Sequence, residues 1–135
     1  MSGLLIAEAV NRMPSNEPYR QPASIGRKID SGKLRIAPQA ELDAKIRRGD
    51  YQWHPFPLGC VITEIQQFST ERVLIVHYLF GERFDEWKGR LVDHLKRFAS
   101  EHECHAIEAN CRLGLEVALK PLGFKRVQVV LRSDV

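Results

Sequence analysis

Cysteine is scarce in this chain, which has only three in 135 residues, at Cys60, Cys104 and Cys111. An odd number at irregular spacing does not predict a disulfide framework, so reduced thiols are expected. Long apolar runs are also lacking, which argues against a membrane-spanning helix. The first residues form a short apolar stretch that contains Glu8 and follows no basic residue, which argues against a secretory signal. These features favour a cytosolic protein or a component of an intracellular assembly.

Positive charge is not in excess over most of the chain. The net charge of +3 belongs to residues 1–37, which hold six basic and three acidic side chains, whereas residues 38–135 are neutral. A neutral domain gives no electrostatic reason to expect nucleic-acid binding. Hydrophobic residues make up 44% of the chain, which is enough for the core of one domain.

Residues 1–37 are predicted to be an arm. Residues 2–12 favour a short helix that is too short to be stable alone in water and must therefore dock on something. Residues 13–37 are predicted to be an extended linker, because they contain Pro14, Pro18, Pro22, Gly26 and Gly32. The arm either folds back on its own domain or binds another chain. The arm residues predicted to bind a partner are Leu4, Leu5, Ile6, Val10, Arg12, Tyr19 and Arg20.

Residues 38–135 are predicted to form one α+β domain. Pro38 opens a helix that reaches about Arg48, and Gly49 ends it. Residues 58–67 and 72–80 are rich in β-branched and aromatic side chains and predict an antiparallel hairpin.

A long amphipathic helix is the clearest element after the hairpin, and it ends near Glu103. Its apolar residues recur at three- and four-residue steps, at Phe84, Trp87, Leu91, Leu95 and Phe98. Asp85 and Glu86 are expected in its first turn. A strand over 104–110, a short helix over 112–120 and a closing strand over 124–132 complete the domain. The crossover through the long helix predicts a parallel strand pair in a mixed sheet.

This order of elements is similar to the second half of the GNAT (N-acetyltransferase) superfamily fold, over about residues 50–133. A second likeness is the segment Ala118 to Phe124, which resembles the family's short helix ending in Leu-Gly-Phe. The resemblance implies a mixed β-sheet packed by a long and a short helix, here with an extended N-terminal arm.

The resemblance also indicates where an enzyme of this family would bind acyl-coenzyme A. A loop of pattern Gln/Arg-x-x-Gly-x-Gly/Ala holds the pyrophosphate on backbone amides. Counted from Arg83, the two glycine positions fall on Glu86 and Lys88, and Glu82 and Asp85 lie nearby. These carboxylates would repel a pyrophosphate.

A second departure concerns the general acid. Many GNAT enzymes have a tyrosine four residues before the glycine of Leu-Gly-Phe, and the residue here is Leu119, which cannot transfer protons. We therefore expect no catalytic residue and no cofactor. A divergent acyl-coenzyme A-dependent N-acyltransferase remains the alternative.

The chain also resembles small GNAT-like proteins of tailed bacteriophages. The shared features are Thr63-Glu64 on a strand, Asp85-Glu86-Trp87 at the long helix, and Leu119 to Phe124. The resemblance implies a virion structural or assembly protein, located in the virion or in the cytoplasm of the infected host. Its partners would be other phage structural proteins, with a symmetric multi-copy assembly left open. A phage effector that binds a host protein is the other alternative.

Four further groups of residues each have a functional and a structural interpretation. His102, Cys104, His105 and Cys111 lack the paired spacing of a zinc site, and we expect no metal. His77 and Glu64 could serve as a catalytic base, but a hydrogen-bonded interior histidine and a solvated strand carboxylate are favoured. Trp53 and Phe56 are predicted either to cap the sheet or to bind a partner, and Trp87 is predicted to be core.

Overall fold

The computed structural model describes residues 39–111 and 113–135. Residues 1–38 lie outside the described part, and with them the predicted arm and its seven partner-binding residues. Helix α1 spans Gln39–Arg47, with Glu41 in its first turn and Lys45 and Arg47 in its last. These charges complement the helix dipole as predicted. Gly49 follows at φ 84°, which confirms the predicted left-handed stop.

Three antiparallel strands follow α1. They are β1 (Gln52–Phe56), β2 (Gly59–Gln67) and β3 (Arg72–Gly81), so the predicted hairpin is confirmed. Strand β1 was not predicted, because Pro55 interrupts it. It is an edge strand, where a proline is tolerated since one side of its backbone needs no partner.

The long helix begins later than predicted. Residues Phe84–Glu86 form a 3-10 turn, and helix α2 spans Lys88–Glu101. Arg83 has a left-handed backbone at φ 51° and Trp87 has φ −133°, so neither residue continues a helix. Asp85 and Glu86 therefore lie in the 3-10 turn rather than in the first turn of the helix.

Strand β4 (Ala106–Ala109) and helix α3 (Leu113–Leu119) end the regular structure, and a 3-10 turn follows at Lys120–Leu122. Strand β4 pairs with β3 in parallel, as the crossover predicted, and the sheet order is β1-β2-β3-β4. The predicted closing strand over 124–132 is wrong, because that segment has no strand pairing in the structure. Its composition favours β structure, but a strand also needs a neighbour to pair with.

The sheet packs on both faces. On one face, Val61, Leu74 and Leu79 pack in a core with residues of α2 and α3. On the other face, Ile62, Tyr78 and Phe80 pack against Leu42 of α1. Adjacent residues of β2 and β3 thus serve opposite cores, as the pleat requires.

A bulge interrupts the pairing of β2 with β3. Ile62 lies opposite Tyr78, but Thr63 lies opposite Val76, so His77 is the additional residue on β3. A bulge of this kind changes the direction of a side chain on the longer strand. It allows His77 to reach Glu64 of β2, with His77 Nε2 2.7 Å from Glu64 Oε1.

We expect Gly59→Ala to destabilise the domain by about 1–3 kcal/mol, because the site has no space for a methyl group. A Cβ at Gly59 would clash with the carbonyl oxygen of Phe80 and lie 2.8 Å from Trp87 Cζ2. The matched control is Gly89→Ala in α2, where no atom lies within 4 Å of the added Cβ. Urea denaturation should show the control unchanged or more stable by up to about 1 kcal/mol. Equal effects of the two substitutions would contradict the packing argument.

Candidate functional site

The segment between β3 and α2 is where the family resemblance places a pyrophosphate. In the structure this segment is closed by the indole ring of Trp87, which is 3% exposed. The ring lies against Gly59 and Gly81, which face each other across the β2–β3 pair. Its Nε1–H donates to the carbonyl oxygen of Glu82 at 2.9 Å. The prediction that Trp87 belongs to the core is confirmed.

Three backbone amides of this segment are bonded within the protein. The amide of Glu82 donates to the carbonyl oxygen of Leu58, that of Glu86 to Arg83, and that of Trp87 to Phe84, at 2.9–3.1 Å. These donors are therefore engaged in closing the turn, whereas a phosphate cradle needs amides that point to a ligand.

The exposed side chains of the same segment are mainly acidic. The Asp85 carboxylate lies 3.1 Å from Lys88 Nζ, and the Glu86 carboxylate lies 3.6 Å from Arg83 Nε. Both carboxylates are well exposed, so each pair contributes little to stability. The segment thus presents carboxylates to solvent where the resemblance would require an anion site.

Leu119 occupies the position of the family's general-acid tyrosine. It is the last residue of α3 and is buried in the core with Val76 and Leu79 of β3. Strand β4 pairs only with Val73–Val76, while β3 continues to Gly81 beyond that pairing. The side chains that share this core with Leu119 are apolar.

A polar cluster lies on the other face of the sheet, formed by Lys45, Tyr51, Glu64 and His77. The Tyr51 ring stacks on His77 with centroids 4.8 Å apart, and Lys45 Nζ donates to the Tyr51 hydroxyl at 3.4 Å. The cluster borders a cavity of about 410 Å³. The cavity is lined by Lys45, Gly49, Asp50, Tyr51, Gln52, Glu64, Ile65, Gln67 and Arg72.

The environment of Glu64 favours its ionised form. Partial burial acts to raise the pKa of Glu64, but hydrogen bonds from Gln66 and His77 outweigh it and lower the pKa. Glu64 is half-buried and hydrogen-bonded, so the favoured interpretation as a solvated strand carboxylate describes it only in part. His77 is 8% exposed and hydrogen-bonded, as its structural interpretation predicted. The lowered pKa makes the Glu64 carboxylate a weaker base than a free glutamate, whereas a general base at neutral pH works best with a raised pKa.

A chain of buried hydrogen bonds crosses from α2 to β1. His94 Nε2 and His54 Nδ1 are 2.8 Å apart, and His54 Nε2 and Thr63 Oγ1 are also 2.8 Å apart. The Thr63 hydroxyl donates to Gln52 Oε1 at 2.9 Å, so it accepts a hydrogen from His54 Nε2. His54 Nδ1 is then an acceptor, and His94 Nε2 carries the hydrogen between the two rings.

Burial keeps these two histidines neutral. Removal from water lowers the pKa of His54 well below its usual value, and His94 and His102 lower it further. Burial also lowers the pKa of His94, and the neighbouring Arg97 adds to this effect. No motif in the sequence indicates this pair, although His94 falls on the apolar stripe of α2 between Leu91 and Phe98.

The remaining predicted residues are not brought together. Phe56 is 8% exposed and contacts Trp87 with ring centroids 5.3 Å apart, so it belongs to the core rather than to a partner surface. Trp53 is half-buried against the cluster on the α1 face. His102 Nδ1 bonds the Phe98 carbonyl oxygen, and His105 Nδ1 accepts from the Arg72 amide. No group of three or more metal-binding side chains occurs within residues 39–111 and 113–135, nor is any helix there long and apolar enough to span a membrane.

Comparison with known proteins gives structural matches only. Neither a protein-family model nor a curated protein matches the chain. A probable acetyltransferase superposes with a TM-score of 0.56 at 20% identity, over 71% of this chain and 77% of that one. An acetyltransferase of Trypanosoma brucei does so with a TM-score of 0.56 at 16% identity, over the same shares. A variant protein from Thermus thermophilus gives a TM-score of 0.55 at 19% identity, over 88% of this chain and 95% of that one.

These identities are low enough that the matches establish the fold alone. The fold is GNAT-like, with a mixed four-stranded sheet packed by helices, which confirms the predicted α+β class. The described strands and helices correspond to the part of the chain in which the resemblance was first seen.

The buried histidines predict a loss of stability on mild acidification. An unfolded histidine takes up a proton near its ordinary pKa of about 6.5, but His54 and His94 remain neutral in the fold, so stability is full above that pH and falls below it. His94→Gln keeps a donor for His54 and removes one titrating group. Urea denaturation at several pH values from about pH 7 to about pH 5 gives the free energy of unfolding as a function of pH. The slope of this dependence should be shallower for His94→Gln than for the wild type by up to about 1.4 kcal/mol per pH unit. Parallel curves for the two proteins would contradict the assignment.

Proposed function

We propose that the chain is a non-enzymatic GNAT-like protein that serves as a virion structural or assembly component of a tailed phage. It would bind neighbouring subunits through the arm of residues 1–37. The observation that carries the non-enzymatic part is the position of Trp87, whose ring occupies the space beside Gly59 and Gly81. In this fold that space adjoins the loop where an acyl-coenzyme A pyrophosphate would need open amides.

Electrostatics and chemistry support the same proposal. A coenzyme A pyrophosphate carries negative charge, and the segment would meet it with the carboxylates of Asp85 and Glu86. The buried Leu119 side chain offers no proton for a leaving thiolate. A protein with this core can keep the fold while acting through its surfaces, because fold and function are separable.

The assignment to a phage particle has a different basis. It rests on the sequence likeness of Thr63-Glu64, Asp85-Glu86-Trp87 and Leu119 to Phe124 to small phage proteins. The apolar arm residues Leu4, Leu5, Ile6 and Val10 would supply the anchors for neighbouring subunits. Association through such anchors would bury apolar surface that a short isolated helix cannot bury by itself.

An acyltransferase is the second candidate, and a specific observation favours it. Glu64 and His77 form a hydrogen-bonded pair beside Tyr51, and Glu64 and Tyr51 line a polar cavity in which a small substrate could lie. The solved structures similar to this chain include proteins named as acetyltransferases. The two candidates differ in one cheap measurement, the binding of acetyl-coenzyme A.

We expect no heat of binding when acetyl-coenzyme A is titrated into the full chain in a calorimeter. The reason is that the amides of Glu86 and Trp87 are already bonded and the nearby carboxylates repel the ligand. A known GNAT acetyltransferase titrated in parallel is the positive control. Micromolar binding at residues 80–88 would instead favour the acyltransferase.

We expect deletion of residues 1–30 to abolish incorporation into particles while the domain stays folded. Circular dichroism and the fluorescence of Trp87 report the fold, and mass spectrometry of purified particles reports incorporation. Replacing Leu4, Leu5, Ile6 and Val10 by serine is the finer version of the same test. Undiminished incorporation would refute the role of the arm, and capture of one host protein with no incorporation would favour the effector alternative.

A further inference from the structure

A notch interrupts the sheet beside the start of β1. The pairing of β2 with β1 ends at Thr63, whereas β2 continues along β3 to Gln67. The chain before β1 does not extend that strand, because the amides of Asp50 and Tyr51 both donate to the carbonyl oxygen of Lys45 in α1. The notch holds the cavity of about 410 Å³ described above, a volume within the range of about 300–1,000 Å³ found for small-molecule sites.

Backbone groups of β2 face this notch at every second residue. The amide of Arg72 donates to His105 Nδ1 at 3.1 Å, and its carbonyl oxygen accepts from the His105 amide at 2.7 Å. Arg72 therefore directs its backbone groups away from Gln67, which lies opposite it on β2. Because hydrogen-bonded and non-hydrogen-bonded pairs alternate along an antiparallel ladder, Gln67 and Ile65 direct their amides and carbonyl oxygens away from β3 and toward the notch. No described residue of β1 lies opposite either of them.

Two charged side chains of the cavity wall also have unused hydrogen-bonding groups. Arg72 Nε is buried and has no hydrogen-bond partner among the described residues, which is costly for a charged donor. Glu64 accepts hydrogen bonds from Gln66 and His77, and both of them end on Oε1. The second carboxylate oxygen of Glu64 therefore remains for a ligand.

The other charged groups of the wall are paired within the chain. The Asp50 carboxylate lies 3.1 Å from Arg48 Nε, and Lys45 Nζ donates to the Tyr51 hydroxyl at 3.4 Å. One cation and one anion are thus left, those of Arg72 and Glu64. A ligand with a single charge would be repelled by one of them, whereas a ligand with one charge of each sign is attracted by both.

We propose that the notch binds a small α-amino acid in its zwitterionic form. The ligand's ammonium would donate to the Ile65 carbonyl oxygen and to Glu64, and its carboxylate would accept from the Gln67 amide and from Arg72. The order of these groups along β2 agrees with this placement, because Glu64 precedes Ile65 and Arg72 lies opposite Gln67. The ligand would lie parallel to β2 and take the place of one residue of the missing strand.

The proposal is independent of the proposed virion role, because the notch lies at the opposite end of β3 from Gly81 and requires neither the arm nor coenzyme A. Each of the standard L-amino acids is titrated separately into the full chain in a calorimeter. At least one should bind with a Kd of about 1 mM or tighter. For that amino acid, the analogue without the carboxylate and the analogue without the amino group should each bind at least about tenfold more weakly. Absence of binding across the whole set, or analogues that bind as well as the amino acid, would overturn the proposal.

Substitutions identify the residues that hold the ligand. Arg72→Gln and Glu64→Gln should each weaken binding at least about tenfold, because each removes a charge-assisted hydrogen bond. Arg47→Gln is the matched control, since it makes the same change of charge at an exposed residue of α1 that does not line the cavity. The control should leave the affinity unchanged. An equal loss in Arg47→Gln and Arg72→Gln would contradict the proposed contact.

Hydrogen exchange measured by NMR tests the backbone contact in the wild-type chain, so it does not depend on whether a variant folds. The Gln67 amide should become protected when the amino acid is added. The Gln66 amide faces β3 and should be protected with and without the ligand. Binding that leaves the exchange of the Gln67 amide unchanged would overturn the proposal. Either result leaves the test of the arm in particle incorporation unaffected.

Discussion

The contact of Trp87 with two glycines is the constraint on which the described structure depends. Gly59 and Gly81 face each other across β2 and β3, and only residues without a Cβ leave space for the indole ring there. Between β3 and this ring the chain passes through the left-handed Arg83 and a 3-10 turn before α2 begins. That turn uses the amides of Glu86 and Trp87 for hydrogen bonds within the segment.

The two faces of the sheet carry different polar groups. The face under α2 buries the neutral histidines His54 and His94, whose hydrogens are committed to neighbours inside the core. The face under α1 carries the bulge at His77, which directs that side chain to the partly exposed Glu64. The sheet therefore lies between the Glu64 carboxylate, which borders the cavity, and the segment between β3 and α2 that Trp87 closes.

The two edges of the sheet also differ. Strand β1 carries Pro55, which cannot donate to a further strand and so discourages pairing at that edge. Strand β4 has no such protection, and it borders a groove whose other wall is apolar and extended. A further strand could therefore be added to the described sheet at β4 and not at β1.

The sequence alone determined the elements whose signals are local. The stripe from Leu91 to Phe98, the hairpin of β2 and β3 and the stop at Gly49 follow from side-chain spacing and backbone preference, and each is present in the structure. Tertiary structure decided the rest, because it depends on residues far apart in the chain. Strand β1 exists through pairing with β2 despite Pro55, the His54–His94 contact joins residues 40 positions apart, and segment 124–132 remains without pairing although its composition favours a strand. The local sequence can favour a strand or a buried histidine. Either one forms only where a group from another part of the chain completes its hydrogen bonds.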